Sequence, residues 1–319
     1  MNNRINWIDI FKGIGIICVI IAHIINDGFI HKFIFLFHMP LFFFISGYLY
    51  KPERKCAKYL YNKSISLLIP YFIFLLIIFM FQYGTNYIYY NLKHSVFLFL
   101  WGGTKLAGWT GIFWFITCFF ITQQFFNFLF TKCNKRLLIL IACLFLLLAY
   151  VNYIFFQTLS LPWALNLLLY TLPIFSSGYL IKKYENVIIS KKILIVSLSA
   201  ISMIVCFLYP IVSINIKYTN YGVPVISFLL GIILILGIVL LSQQISKYRF
   251  ITNILSYTGK ASMPIMYLHQ FIQLYILQYY TPNILIRFVF ALFIPLLIYW
   301  IFSKFSMTRL IFLGIKPTK

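Results

Sequence analysis

Acidic side chains are almost missing from this 319-residue chain: four in all, Asp9, Asp27, Glu53 and Glu185, against 26 lysines and arginines. Only Asp9 falls within an apolar run, and it sits close to the run's end. A proton- or sodium-coupled transporter, which needs carboxylates near the bilayer midplane, is therefore disfavoured. Charge of either sign is scarce: 9% of the residues are charged and 63% are apolar, too little polar surface to coat a water-soluble globule of this size. Of the six cysteines, Cys18, Cys118, Cys143 and Cys206 fall in apolar runs, and Cys56 and Cys133 fall among basic residues. That leaves no pair in an oxidising compartment and no metal-type spacing, so neither a disulfide nor a metal site is expected. The first apolar run lacks a small-residue cleavage site and leads straight into another, so it reads as a retained span.

Long apolar runs dominate what is there. Several approach the roughly 20 residues that a helix needs to cross the hydrocarbon core. The pattern predicts spans near 8–26, 33–50, 64–82, 109–130, 137–155, 164–181, 193–210, 223–242, 261–280 and 284–303: an all-α, polytopic membrane bundle of about ten transmembrane helices. The net charge of +22 could point to nucleic acid, but that reading needs the basic residues gathered on one face or tail. They instead punctuate alternate loops, and all but Lys32, Lys93, Lys105, Lys217 and Arg287 fall on one side. By the positive-inside rule both termini are cytoplasmic, as in a multi-pass protein of a bacterial inner membrane. Val96 to Trp101 is too short to cross and is expected as a re-entrant or surface helix on the outer face. The chain reads as one transmembrane domain, 1–319, with no fused extracellular domain.

Three histidines, His23, His38 and His269, fall inside predicted spans, while His31 and His94 fall in outer loops. From Lys12 to His23 is eleven residues, which returns a helix to within about 20° of the same face and ~16 Å further along. Asp9 joins that stripe. An acid, a cation and an imidazole on one face would cost several kcal/mol against lipid, so the face must look into the bundle or a wet cavity. The plain alternative makes Asp9 and Lys12 an interfacial ion pair and His23 a core histidine. An internal echo, Ser46-Gly47-Tyr48-Leu49 and Ser177-Gly178-Tyr179-Leu180, closes the second and sixth spans, and the simplest account is close helix packing through small residues. Trp109 and Trp114 are expected to anchor near the membrane surface.

Asn6-Trp7-Ile8-Asp9, Lys12-Gly13-Ile14-Gly15, His23 and the run Phe37-His38-Met39-Pro40 to Ser46-Gly47-Tyr48 together resemble the opening of the membrane-bound acyltransferase 3 family. The resemblance continues through Ile69-Pro70-Tyr71, Trp114-Phe115 and Gly259-Lys260-Ala261-Ser262 to Leu268-His269, and is nearest to the fucose 4-O-acetylase-like branch. It implies a catalytic histidine at His23 and an acyl-coenzyme A contact at Lys12, where relatives often have arginine. That departure replaces a bidentate fork with a single ammonium. Relatives also tend to carry paired arginines before the third span, where this chain has only Lys63, Ser64 and Ser66.

The implied activity is transfer of an acetyl group from cytoplasmic acetyl-coenzyme A to a hydroxyl of a cell-surface or lipid-linked glycan. His23 and His38 are the candidate catalytic groups, and Asp9, Lys12 and Lys63 the candidate donor contacts. Ser46, Trp114 and His269 are supporting positions. The expected partners are the glycan acceptor, acyl-coenzyme A, membrane lipids and, as an open alternative, a second copy of the chain. The competing reading is a non-catalytic glycan or lipid transporter, which would also bury a polar stripe.

Overall fold

The computed structural model describes residues 6–85 and 92–316. Arg4 and Lys319, counted above among the inner basic residues, lie outside the described residues. In chain order the helices are α1 (Asn6–Ile24), α2 (Gly28–Phe35), α3 (His38–Tyr48), α4 (Cys56–Lys63), α5 (Ile69–Gly84), α6 (Leu92–Trp101), α7 (Trp114–Lys132) and α8 (Lys135–Phe155). They continue as α9 (Leu168–Lys182), α10 (Glu185–Ser190), α11 (Lys192–Leu208), α12 (Ile226–Ile245), α13 (Arg249–Lys260), α14 (Ser262–Tyr279), α15 (Ile284–Phe302) and α16 (Ser306–Leu313). No strand occurs among the described residues. Among the described residues, eight helical stretches are long and apolar enough to cross a membrane. The other two expected spans are also helical: α11 is shorter, and α14 is diluted by His269, Gln270, Gln273 and Gln278. At 1.5 Å per residue the ten-residue α6 covers only ~15 Å, half the hydrocarbon thickness.

The expected second span, 33–50, is instead two helices that start earlier and break at Leu36 and Phe37. The cause is Pro40, which lacks an N–H and would collide with the Leu36 carbonyl four residues back in a continuous helix. A proline is tolerated in the first turn, so α3 restarts at His38. Leu36 and Phe37 donate their amides three residues back, to Phe33 and Ile34, at 3.2 and 3.1 Å.

The chain divides into two compact units. The first comprises residues up to Lys51, Ile139–Thr158 and Leu169–Ser262. Here α1 lies against α13 at backbone distance: a Cβ on Gly13 would strike the Leu255 carbonyl, and one on Gly259 the Asp9 carbonyl. Helix α13 buries the small polar Thr252, Ser256 and Thr258 and exposes Phe250, Ile251 and Ile254. The small polar residues let α13 come close to α1, with the large apolar ones on the opposite face. The α11–α12 connection is structured, with Asn215 and Asn220 exchanging backbone hydrogen bonds at 2.8 and 3.1 Å. It lays the buried Tyr221 flat on Tyr170, ring centroids 4.2 Å apart.

The second unit comprises Pro52–Leu138, Leu159–Leu168 and Met263–Lys319. Between α4 and α5 the turn Ser64–Leu68 widens to a π-helix just before Pro70, the residue that cannot donate to a normal helical ladder. The Leu67 carbonyl there accepts from the Tyr267 hydroxyl, 3.0 Å. Asn127 of α7, itself buried, clips the loop before α4: its amide donates to the Glu53 carbonyl at 3.1 Å and its oxygen accepts the Glu53 amide at 3.3 Å. The Lys58 ammonium, 3.0 Å away, and the Lys55 amide hold the Glu53 carboxyl below the usual carboxylate range.

Candidate active site

His23 occupies the last turn of α1, half-buried, one residue before the helix ends. A helix terminus leaves orphan carbonyls, and here they are taken by His31. Its Nδ1 lies 2.7 Å from the Ile25 oxygen and 3.0 Å from the Ala22 oxygen. Carbonyls only accept, so Nδ1 carries the proton and donates. The expectation that His31 lies in an outer loop is thereby corrected, since α2 begins at Gly28, capped by the Asp27 carboxylate on the Gly28 amide.

His38 opens α3 and is 2% exposed. The break at Pro40 leaves the Ile34 carbonyl within 2.9 Å of His38 Nδ1, which donates to it. Phe35 is the common wall of all three imidazoles. Its ring stacks on His31 at 4.0 Å, lies 4.7 Å from His38 and 6.4 Å from His23. The His23 and His38 rings stand nearly perpendicular, 6.4 Å apart. Sequence reasoning paired His23 with His38 and missed His31, because the break at Leu36 and Phe37 that separates α2 from α3 leaves no mark in the apolar pattern.

Further inward on α1, the Lys12 ammonium lies 3.1 Å from the carboxylate of Asp9, whose side chain is 3% exposed, against 25% for that of Lys12. The ion pair of the plain alternative therefore exists. It leaves the rest of the stripe intact, because α1 runs unbroken from Asp9 to His23. An ammonium has three donors, so one bond to Asp9 leaves capacity for a second anionic group. Ser46 lies in the last turn of α3, next to the close α3–α9 contact made by Gly47.

Lys63, Trp114 and His269 belong to the second unit. Lys63 ends α4 with its ammonium 5.5 Å from the centre of the Tyr59 ring. His269 is fully buried, its Nδ1 donating to the Ile265 carbonyl at 2.8 Å. Trp114 is 4% exposed and Trp109 is fully buried, edge-on to Phe271 at 5.1 Å. Neither is an interfacial anchor, because that role requires a ring exposed at headgroup level. Arg287, which the sequence places at the outer end of the last span, is buried in the first turns of α15 and donates to Gln273.

A family model described as an acyltransferase domain, the acyltransferase 3 model, matches residues 5–304. No curated protein and no solved structure matches the chain.

Proposed function

The chain belongs to the acyltransferase 3 family and is a membrane acyltransferase, and from that premise we propose that it moves an acetyl group from cytoplasmic acetyl-coenzyme A to a glycan hydroxyl. The observation that carries the reading is the unbroken α1, with a cation at its inner half and an imidazole at its other end, against a second imidazole on α3. The two imidazoles are the groups with the chemistry for proton transfer, and Lys12 is the group that can meet a phosphate.

In this reading the anionic coenzyme head is held at Lys12, and the pantetheine arm runs ~16 Å outward along α1 to bring the thioester to His23. His23 takes the proton of the sugar hydroxyl as the oxygen attacks the thioester carbonyl, and the departing coenzyme thiolate recovers a proton. A route with acetyl carried on His23 uses the same geometry. The buried His38, its Nδ1 committed to Ile34, supports the pocket wall with Phe35. The resemblance to the fucose 4-O-acetylase-like branch supports a sugar acceptor, cell-surface or lipid-linked. The basic loops support cytoplasmic termini in a bacterial inner membrane, and the family match over residues 5–304 supports a single transmembrane domain.

Purified protein with radiolabelled acetyl-coenzyme A and a panel of glycans tests the chemistry. Wild type should label the sugar, and His23→Ala should not. Label transfer by His23→Ala at the wild-type rate would remove His23 from the chemistry. In a background without native cysteines, Tyr218→Cys should react with an impermeant thiol reagent in whole cells and Asn186→Cys should not. The reverse pattern would invert the topology.

A further inference from the structure

In the first unit, α11 and α12 run antiparallel and enclose between them, with Phe33 of α2, a cavity of about 910 Å³ lined almost wholly by apolar atoms. Its depth comes from small residues. Ser197 and Ala200 put only small side chains along α11, and Gly237 lets α12 come against Ser199, whose hydroxyl lies 3.2 Å from the Ile233 carbonyl. The cavity is open along its side, as a groove for a chain rather than a closed chamber for a compact ligand.

One end of this groove is charged. Lys192 begins α11 and Lys247 follows α12, so antiparallel packing puts both ammoniums at the same mouth, and both line it. The Lys247 ammonium donates to the Gln244 side chain at 3.0 Å, which leaves it further donors. Lys191 and Arg249 flank the mouth in sequence, and no Asp or Glu occurs anywhere from Asn186 to the end of the chain. No carboxylate of that stretch can neutralise this mouth. The body of the groove runs from Lys192 to Met203, eleven residues or ~16 Å of helix, against ~15 Å for half of the hydrocarbon core.

We propose that this groove is a binding site for a bilayer phospholipid with an anionic headgroup, its acyl chain along the α11–α12 floor and its phosphate between Lys192 and Lys247. Three features converge on that occupant: an apolar channel of single-leaflet depth, a doubly cationic mouth, and the position of that mouth on the side where basic loops collect and anionic lipid attracts them. Filling the groove also buttresses Phe33, which packs against Phe29 and Phe37 at 5.7 and 5.4 Å. The lipid therefore supports α2, the helix that carries His31 and Phe35. The proposal does not depend on the acetyl-transfer reading.

Native mass spectrometry of delipidated protein titrated with phosphatidylglycerol or phosphatidylcholine of identical acyl chains tests it. With two lysines at the mouth, wild type should prefer the anionic lipid by a factor on the order of 30. The Lys192→Gln/Lys247→Gln variant should bind both lipids alike at the wild-type affinity for phosphatidylcholine. Ala200→Trp, with Ser197→Trp as a second groove-filling variant, should lose both lipids while retaining a cooperative thermal transition. Equal binding of the two lipids by wild type would overturn the proposal, as would a preference that survives removal of the lysines. Undiminished lipid binding by both folded groove-filling variants would place the lipid elsewhere. Displacement of phosphatidylglycerol by equimolar polyprenyl phosphate would make a lipid-linked carrier the occupant instead.

Discussion

Gly47 and Gly178 each lie against the backbone of the other's helix: a Cβ on Gly47 would overlap the Phe175 carbonyl, and one on Gly178 the Phe44 carbonyl. The two echoing Ser-Gly-Tyr-Leu segments are thus the two halves of one contact between α3 and α9. Because both obstacles are backbone, no side-chain rotation relieves an added methyl, and the helices must part. Gly47→Ala and Gly178→Ala should each destabilise the detergent-solubilised protein by about 1–3 kcal/mol. Gly84→Ala, with nothing within 4 Å of the added atom, serves as the control and should not lower the melting temperature. A wild-type melting temperature for both contact variants would mean that α3 and α9 do not pack at this distance.

Around Phe35 the three histidines should separate by phenotype. His23→Ala should keep its thermal transition, since His23 is half-buried at a helix end, while acetyl transfer falls by at least ~100-fold. His31→Ala removes the donor that ties the α1 terminus through Ala22 and Ile25. One neutral hydrogen bond is worth about 1 kcal/mol, so transfer should fall by a factor of ~5 with unchanged donor affinity, and His31→Asn should recover part of it. A loss at His31 equal to that at His23, unrescued by Asn, would make His31 a chemical participant rather than a positioning residue.

Lys217, part-buried in the α11–α12 connection, has its ammonium pKa pushed down to about 8 by burial, from a usual 10.5. Its folded value lies below its unfolded one, so between them the unfolded chain binds more protons and stability rises with pH. Below about 8 both states are protonated and the slope from this group vanishes. Melting temperatures measured from pH 7 to 10.5 should climb above pH 8 in wild type, after allowance for other groups, and climb less in Lys217→Gln. At pH 7 the variant should be the more stable of the two. Superimposable pH profiles would show that Lys217 is fully hydrated.

Much of the architecture was legible because lipid imposes a simple demand: backbone groups must be satisfied within the helix, so apolar length alone marks a span. The polar stripe of α1 was legible for a related reason, since Asp9, Lys12 and His23 share a face at a spacing that only a continuous helix gives. The break before His38 was not. An apolar run reads the same whether or not it bends, and Pro40 could equally have sat in the first turn of a helix or kinked a longer one. Missing that break put His31 in a loop and hid the third imidazole. Trp109 and Trp114 were misplaced because aromatic counts locate residues relative to a membrane, whereas burial depends on which helices meet. The glycine echo was visible as small-residue packing, but nothing in one sequence says that the two copies pack on each other.

The Asp9–Lys12 pair gives the sharpest test of the α1 stripe, because the ion pair and donor binding make opposite demands on the same lysine. Lys12→Ala takes from the Asp9 carboxylate, on a side chain 3% exposed, the ammonium 3.1 Å away. Breaking a buried pair costs up to about 3–5 kcal/mol, and the partial exposure of Lys12 puts the cost here toward or below the lower figure. That variant should therefore express poorly. In Lys12→Ala/Asp9→Asn the buried negative charge is gone, and expression and melting temperature should recover. Donor affinity should not recover with them, since the cation that meets the coenzyme is still missing: it should remain roughly 10- to 150-fold below wild type, the range for a charge-assisted bond of ~1.5–3 kcal/mol. Lys12→Arg keeps a cation and should retain most of both properties. Calorimetric titration of acetyl-coenzyme A into wild type, the double variant and Lys12→Arg measures this directly. If the folded double variant binds the donor as tightly as wild type, Lys12 serves only to neutralise Asp9, and the path of the pantetheine arm along α1 must be abandoned.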